Sequence, residues 1–459
     1  MLPAFLHLAL LHLAFFPPTN PAPGASWCVG VSRVEITPTE AVWMAGYASR
    51  TKPGEGKASP LYARGLALRD PAGSTGLIIA LDLVGIDAIT SARWATAIGK
   101  KHQLPRHGLV FACSHTHCGP VVGSTLSDMY PITEAAVLAG ERYARRLDML
   151  VADAADKALA GLFPANLAWH AGTCGFAVNR RNNLEAEVES LKKAGTIRGP
   201  IDHTVPVLAA RDMRGKMVAV LFGYACHATT LSFQEWFGDW PGVACENLEA
   251  DGATAVFIAG CGADQNPLPR RRMELAQAYG RQLADAVRGA LGDAGTPVQG
   301  TLGMVLDRVE LPLEAPPGRD LLVEQSQSND KALAARARRL MKVLADGGAL
   351  PTRYSAPVQA WAVGEKNGLV FLPGEVVVDY ALRLPAELPG RRWWIGSYCN
   401  DVMAYIPSRR VRREGGYEGD KSMVYYGLPA AWREEVEEVL VSGVQRLVGK
   451  LAPGGGQGK

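Results

Sequence analysis

Five short apolar runs, Leu77 to Val84, Leu109 to Ala112, Met217 to Tyr224, Ala255 to Ala259 and Leu369 to Leu372, are separated by long segments of helical period, and this alternation leaves few folds open. Runs of this length and hydrophobicity read as buried strands. The intervening segments carry a different period. Glu134 to Leu162 places Tyr143, Leu147, Leu150, Val151, Ala154 and Ala158 on one stripe, and Met273 to Leu291 does the same with Leu275, Tyr279, Leu283 and Val287. Two further helices are expected, a polar one over Gln325–Leu344 and a final one over Pro429–Leu451 with Trp432, Val436, Leu440 and Leu447 inward. The pattern predicts an α/β fold of mixed β-sheets flanked by helices. Neither Gly195 to Gly215 nor Pro312 to Asp330 reads as a linker, so a single large catalytic domain is expected over residues 27–452.

The ends differ in composition. Residues 5–16 are apolar, too few to span a membrane, and a Pro-rich stretch with small residues follows them. That layout predicts a signal peptide and Pro-rich segment over residues 1–26, although no Lys or Arg precedes the apolar run, and a secreted or periplasmic location. The Gly-rich tail, 453–459, is expected to be disordered. A formal charge of +3 over 459 residues, with no basic block beyond Arg409, Arg410, Arg412 and Arg413, implies no nucleic-acid partner. Those arginines read as a solvated loop.

Eight cysteines lack the regular spacing of a disulfide scaffold, and no Cys-x-x-Cys is present to make a zinc knuckle. Cys113, Cys118, Cys226 and Cys261 nevertheless lie close to the candidate site motifs, which leaves thiolate ligation open.

Three of the apolar runs end in groups that bind metals. Ser114-His115-Thr116-His117-Cys118-Gly119-Pro120 follows the second, and in an extended segment His115 and His117 would share a face. His227 closes the third, and Glu375 follows the Pro373-Gly374 turn after the fifth. Each histidine segment alone reads equally as a polar strand end with a satisfied imidazole, and Glu375 alone as a turn residue. Together they suggest a His, His, Glu zinc site with one position open to water.

The Ser-His-Thr-His-Cys-Gly-Pro run resembles the Thr-His-Thr-His-Ser-Gly-Pro signature of neutral/alkaline ceramidases, zinc amidases that split N-acyl sphingosine. The resemblance extends from Gly30–Pro38 through Asn179-Arg180, Gly238–Gly242 and Pro373–Glu375 to Tyr405 and Tyr417-Glu418-Gly419. It implies one zinc ion held by His115, His227, Glu375 and Tyr405, with His117, Arg180 and Tyr417 facing the scissile amide. Tyrosine is an uncommon zinc partner, and a buried Tyr405 ring with a satisfied hydroxyl is the other reading of that residue.

Two departures stand out. The family carries Gly-Asp-Val-Ser-Pro-Asn, whereas this chain reads Gly260-Cys261-Gly262-Ala263-Asp264-Gln265-Asn266-Pro267, and with the Asp and Pro aligned Asn266 takes the place of an important serine. An amide side chain can hold water or substrate but cannot act as a nucleophile. The family's C-terminal immunoglobulin-like domain is expected to be missing, since a helix and the Gly-rich tail follow the matched region.

The expected activity is therefore zinc-dependent hydrolysis of a linear amide, with N-acyl sphingosine or a related lipid as substrate and zinc-bound hydroxide as nucleophile. A lipid substrate brings with it peripheral contact with a membrane surface. The alternatives are a weakly active or inactive relative that binds a ligand through the metal site, and a zinc hydrolase of another amide or ester. Asp82, Asp239 and Asp264 are candidates for orienting a ligand histidine or contacting substrate, with a strand-end turn as the simpler reading of Asp82. Arg270 either pairs with Asp264 or begins the next helix.

Overall fold

The computed structural model describes residues 26–130 and 132–451. Two sheets pack against one another, each with helices on its outer side. The larger contains β1 (Cys28–Glu35), β2 (Tyr62–Arg69), β3 (Thr75–Leu81), β4 (Leu109–Cys113), β5 (Phe163–Thr173), β6 (Thr204–Asp212), β7 (Met217–Tyr224) and β8 (Thr254–Ala259). Their spatial order is β8-β7-β6-β5-β1-β2-β3-β4, with Thr296–Pro297 added beside β5. The outermost pairs, β7 with β8 and β3 with β4, are parallel, and those between are antiparallel. The smaller sheet runs β9 (Leu302–Pro312), β10 (Arg353–Val363), β11 (Asn367–Phe371) and β12 (Arg392–Gly396), antiparallel except for the parallel pair β11 and β12. The α/β expectation of mixed sheets flanked by helices holds.

Strand parity explains why the apolar runs are continuous. In β3, Leu77, Ile79 and Leu81 pack into the core beneath the helices, while Ile78 and Ala80 face a second core shared with the smaller sheet. The same division separates Leu109, Phe111 and Cys113 from Val110 and Ala112 in β4. Both faces are covered, so neither parity can be polar. Helices α1 (Ala88–His102), α2 (Glu134–Ala160), α3 (Asp239–Glu249) and α4 (Met273–Ala290) cover the larger sheet. Helices α5 (Asp379–Glu387) and α6 (Val436–Gly449) cover the smaller one.

Two helix expectations need correction. The segment Gln325–Leu344 is not one helix: a helix over Arg319–Ser326 stops, and a second over Lys331–Ala345 begins. Asp330 makes the new start, because its carboxylate accepts the amides of Ala332 and Leu333. The final helix begins at Val436 rather than Pro429. Before it the chain is drawn out along the end of β9, where Glu314 N–H donates to Ala431 O at 2.8 Å and Arg433 N–H to Pro312 O at 3.0 Å. Trp432 is inward as expected, but on this extended stretch, its indole donating to the Tyr405 carbonyl at 2.6 Å. The stretch from Gly195 to Gly215 contains β6, well inside the larger sheet. The signal-peptide and tail readings fall outside the described residues, apart from Ser26, and no helix among the described residues is long and apolar enough to cross a membrane.

One buried carboxyl beyond β12 makes a testable pH element. Asp401 is 1% exposed and accepts the Tyr354 hydroxyl at 2.7 Å. Burial pushes it up to about 7, against the pull of that hydrogen bond. A carboxyl raised in the folded state costs stability progressively as pH rises from its unfolded value of about 4 through its folded value. Asp401→Asn should therefore gain on the wild type as pH rises from 4 to 8, by an amount of the order of 4 kcal/mol. Urea unfolding across that range checks this, and parallel curves for the two proteins would contradict it.

Candidate metal centre

The C-terminal ends of β4, β7, β8, β11 and β12 open onto one basin, and the loops leaving them supply its walls. Strand ends are where open α/β sheets place their ligands. The backbone there is unusual. His115, Asp239, Tyr398 and Asn400 are non-glycine residues at φ of 62°, 52°, 58° and 64°. Conformations of this kind cost of the order of 1–3 kcal/mol each and cluster at functional sites. His115 and His117 do not share a face of an extended segment as expected: β4 ends at Cys113, and the left-handed turn at His115 brings the rings together instead. Their Nε2 atoms are 3.1 Å apart.

Two carbonyls decide the chemistry of the ligand histidines. His115 Nδ1 lies 2.6 Å from Val84 O, and His227 Nδ1 lies 2.8 Å from Gly262 O. A carbonyl only accepts, so each Nδ1 carries the proton and each neutral ring presents a bare lone pair at Nε2. Both Nε2 atoms lie 3.1 Å from Glu375 Oε2, and that oxygen receives no hydrogen bond. Burial holds the His227 imidazole down to about 4, and the Arg180 charge adds to it. Acceptors converging in a buried pocket repel one another unless a cation lies between them.

The donor set fits a metal. Atoms bound about 2.1 Å from one tetrahedral zinc sit about 3.4 Å from one another. Here His115 and His227 are each 3.1 Å from Glu375, and the Tyr405 hydroxyl is 3.2 Å from His227 Nε2. The structure thus brings His115, His227, Glu375 and Tyr405 together, all of them buried. The second carboxylate oxygen, Glu375 Oε1, accepts a hydrogen bond from Tyr426. Holding the unbound side of a ligand in this way is a common feature of metal sites.

His117 belongs to the same buried three-histidine group, which can hold a metal ion. It differs from its neighbours in one respect. Its Nδ1 is buried with no partner, so no carbonyl holds a proton there, and its Nε2 faces the bare His115 Nε2 at 3.1 Å. Burial holds its pKa well below the ordinary range, with the His115 ring adding to the effect. The ring packs against Tyr47 at 4.9 Å between centroids, and the Arg50 guanidinium donates to the His117 carbonyl at 2.7 Å.

Arg180 stands on the other side of Tyr405. Its Nη2 donates to the Tyr405 hydroxyl at 3.2 Å, its Nη1 to Asn266 Oδ1 at 3.3 Å, and its Nε to Glu418 at 2.7 Å. Asn266 also accepts the Thr229 hydroxyl at 3.4 Å. Asn266 therefore sits beside Arg180, which bonds to the Tyr405 hydroxyl. Tyr417 is 41% exposed, with its ring edge-on to Tyr405 and beneath Arg180, and so reaches the opening of the basin.

The acidic candidates have other partners. Asp82 accepts the Tyr62 amide and pairs with Arg64 at 3.0 Å. Asp239 accepts the Leu231 and Trp240 amides, and it is Trp240 whose indole donates to the His227 carbonyl at 2.9 Å. Asp264 binds the Val378 amide and the Asn179 side chain. None is bonded to a ligand imidazole. Arg270 pairs with Glu185 at 3.0 Å rather than with Asp264. The Arg409–Arg413 cluster is a short helix, not a loop, and is laced to Glu434, Glu438, Asp379 and Glu414. All eight cysteines are free, and none joins the histidine group. Burial pushes the thiols of Cys113, Cys118, Cys226 and Cys261 up, away from the thiolate a metal needs.

Two residues of the basin, Tyr426 and Glu418, escaped the sequence reading, and Tyr398 entered it only as a neighbour of Tyr405. Tyr426 supports Glu375, Tyr398 packs on His115 at 4.4 Å with its hydroxyl buried and unpartnered, and Glu418 holds Arg180. Glu418 had a signal in the Tyr417-Glu418-Gly419 motif. Tyr426, 51 residues beyond Glu375 in sequence, had none.

No family model and no curated protein matches the chain. Solved structures do. A ceramidase complexed with C2 superposes with a TM-score of 0.72 over 93% of this chain and 75% of its own, at 17% identity. Neutral ceramidase from Pseudomonas aeruginosa gives 0.72 over 94% and 75%, again at 17% identity. The fold is that of neutral ceramidase. Within the neutral-ceramidase fold, the basin at the strand ends is where this chain gathers His115, His227, Glu375 and Tyr405.

Proposed function

We propose that the chain is a zinc-dependent hydrolase of a linear amide, and that N-acyl sphingosine or a related N-acyl lipid is its substrate. One observation carries the reading: two carbonyl-oriented imidazoles aim bare nitrogens at an unsatisfied carboxylate oxygen, beside a cationic side chain and a histidine whose Nδ1 has no partner. The similarity in fold to ceramidases supports the amide and lipid parts.

A bound zinc ion would acidify water to a pKa of about 7 and polarise a carbonyl. The protein's own groups do the rest. His117, kept neutral and free at Nδ1, takes the proton of the attacking water and delivers one to the leaving nitrogen. Arg180 stays charged against Glu418 and donates to the oxygen that gains charge as the carbonyl is attacked. Tyr417 at the opening is placed to donate to the same oxygen. Asn266 orients Arg180 and offers no nucleophile, so no covalent acyl-enzyme forms there.

The test assays purified protein on N-acyl sphingosine, N-acyl amino acids and simple esters, with and without chelator. Hydrolysis of the sphingolipid, abolished by chelator and restored by zinc, is the expected outcome. Turnover of only the esters or acyl amino acids would reassign the substrate. Zinc-loaded protein inert on all of them would leave a site that binds without reacting.

A further inference from the structure

Away from the metal centre, a cavity of about 320 Å³ lies between the two sheets. Its walls come from β5 and β6 on one side and from β11, β12 and α5 on the other. They are mostly apolar. Trp169 and Trp394 meet edge to face at 6.4 Å, Trp393 and Ile395 line the cavity from the other face of the edge strand β12, and Leu382 stands 48% exposed on α5. Two glycines make the space for these rings. A Cβ at Gly223 would lie 2.5 Å from the Trp394 ring, and one at Gly368 would fall on the Trp393 ring. The Trp169 indole N–H is buried without an acceptor.

The cavity has direction. Arg392 and Asn367 pair across β12 and β11 at one end, and neither side chain makes a hydrogen bond or ion pair among the described residues. The other end reaches Ala225 and Gly260, and Gly260 bridges to Gly396. From Arg392 to Gly396 the strand advances roughly 13 Å. Asp202 lines the cavity near Tyr224 and Gly260, without a cationic partner among the described residues. A solvent-exposed cation beside an amide side chain thus marks one end of the mostly apolar cavity, and the Asp202 carboxylate, which accepts the Thr204 amide at 2.9 Å, marks the other.

The geometry points to a binding site for a single-chain anionic amphiphile, an alkyl carboxylate of medium length, whose head lies at Arg392 and Asn367 and whose chain runs along β12 toward Gly260. Arg392 attracts the head, Asp202 repels it from the opposite end, and the tryptophan wall takes the chain. The site is independent of the hydrolysis proposed above, since it shares no residue with the metal centre.

Isothermal titration with decanoate tests it, run on zinc-loaded protein and repeated in excess chelator, with decylamine as the comparison. One decanoate is expected per chain under both metal conditions. Arg392→Gln should weaken binding about tenfold, and Ala171→Trp, at an exposed rim position, should block it. Leu382→Glu, also exposed, repeats the test with charge in place of bulk. Decanoate binding that disappears with chelator would place the carboxylate on the metal instead. Binding unaffected by Arg392→Gln or by the rim variants, decylamine binding as tightly as decanoate, or no decanoate binding at all would each overturn the assignment.

Discussion

His227→Ala is expected to purify with less than about a tenth of the wild-type metal content. The imidazole it removes is held from both sides: Gly262 O accepts its Nδ1 proton, and its Nε2 lies 3.1 Å from Glu375 and 3.2 Å from the Tyr405 hydroxyl. Without it, His115 and Glu375 remain with only a tyrosine that burial keeps protonated. His117→Ala is the companion. Its ring has no carbonyl fixing a lone pair toward the carboxylate, so the variant should retain metal while turnover falls about 10²–10⁴-fold, the range for a lost acid–base group. Elemental analysis after gel filtration, alongside amide hydrolysis, reads both. Full occupancy in His227→Ala would sink the ligand assignment, and metal loss in His117→Ala would make that residue a ligand as well.

Gly46→Ala should slow turnover by about 10²-fold without touching any ligand. Gly46 has φ of 97°, and a methyl added there would land on the His117 ring, 2.5 Å from Cγ. The backbone cannot withdraw, because the Gly46 amide donates to the Tyr130 hydroxyl at 2.6 Å. The imidazole must move instead, and a displacement of about 1 Å in a catalytic group is worth two orders of magnitude. The left-handed backbone adds a stability cost of about 1 kcal/mol. Steady-state kinetics with metal analysis and a melting curve separate these effects. Unchanged kcat in a folded, metal-loaded Gly46→Ala would remove His117 from the reaction.

Legibility followed the physical range of each interaction. The strands β3, β4, β7, β8 and β11 were plain in the sequence because both of their faces are buried, which writes an unbroken apolar run. Strands β5 and β9 were not, since part of each faces water and the run breaks up: β5 alternates through Asn166, Trp169 and His170, and β9 through Asp307, Arg308 and Glu310. The final helix was read too long because Trp432 is buried by the end of β9 and by Tyr405, a tertiary contact that mimics helical spacing.

The candidate site divides along the same line. By itself the sequence determined which groups the strand ends deliver: His115, His117, His227 and Glu375 each follow an apolar run by a few residues, and the resemblance added Tyr405, Arg180, Tyr417 and the substituted Asn266. Only the tertiary structure decided what each of them can do. The proton on Nδ1 of His115 and His227 is set by Val84 and Gly262, the open Nδ1 of His117 by the absence of such a partner, and the placement of Glu375 by Tyr426. A tautomer is a property of the atom that faces the ring, and that atom belongs to a segment 31 residues away for His115 and 35 for His227. Residue type is local and can be read along the chain, whereas protonation and orientation come from contacts that exist only once the chain has folded.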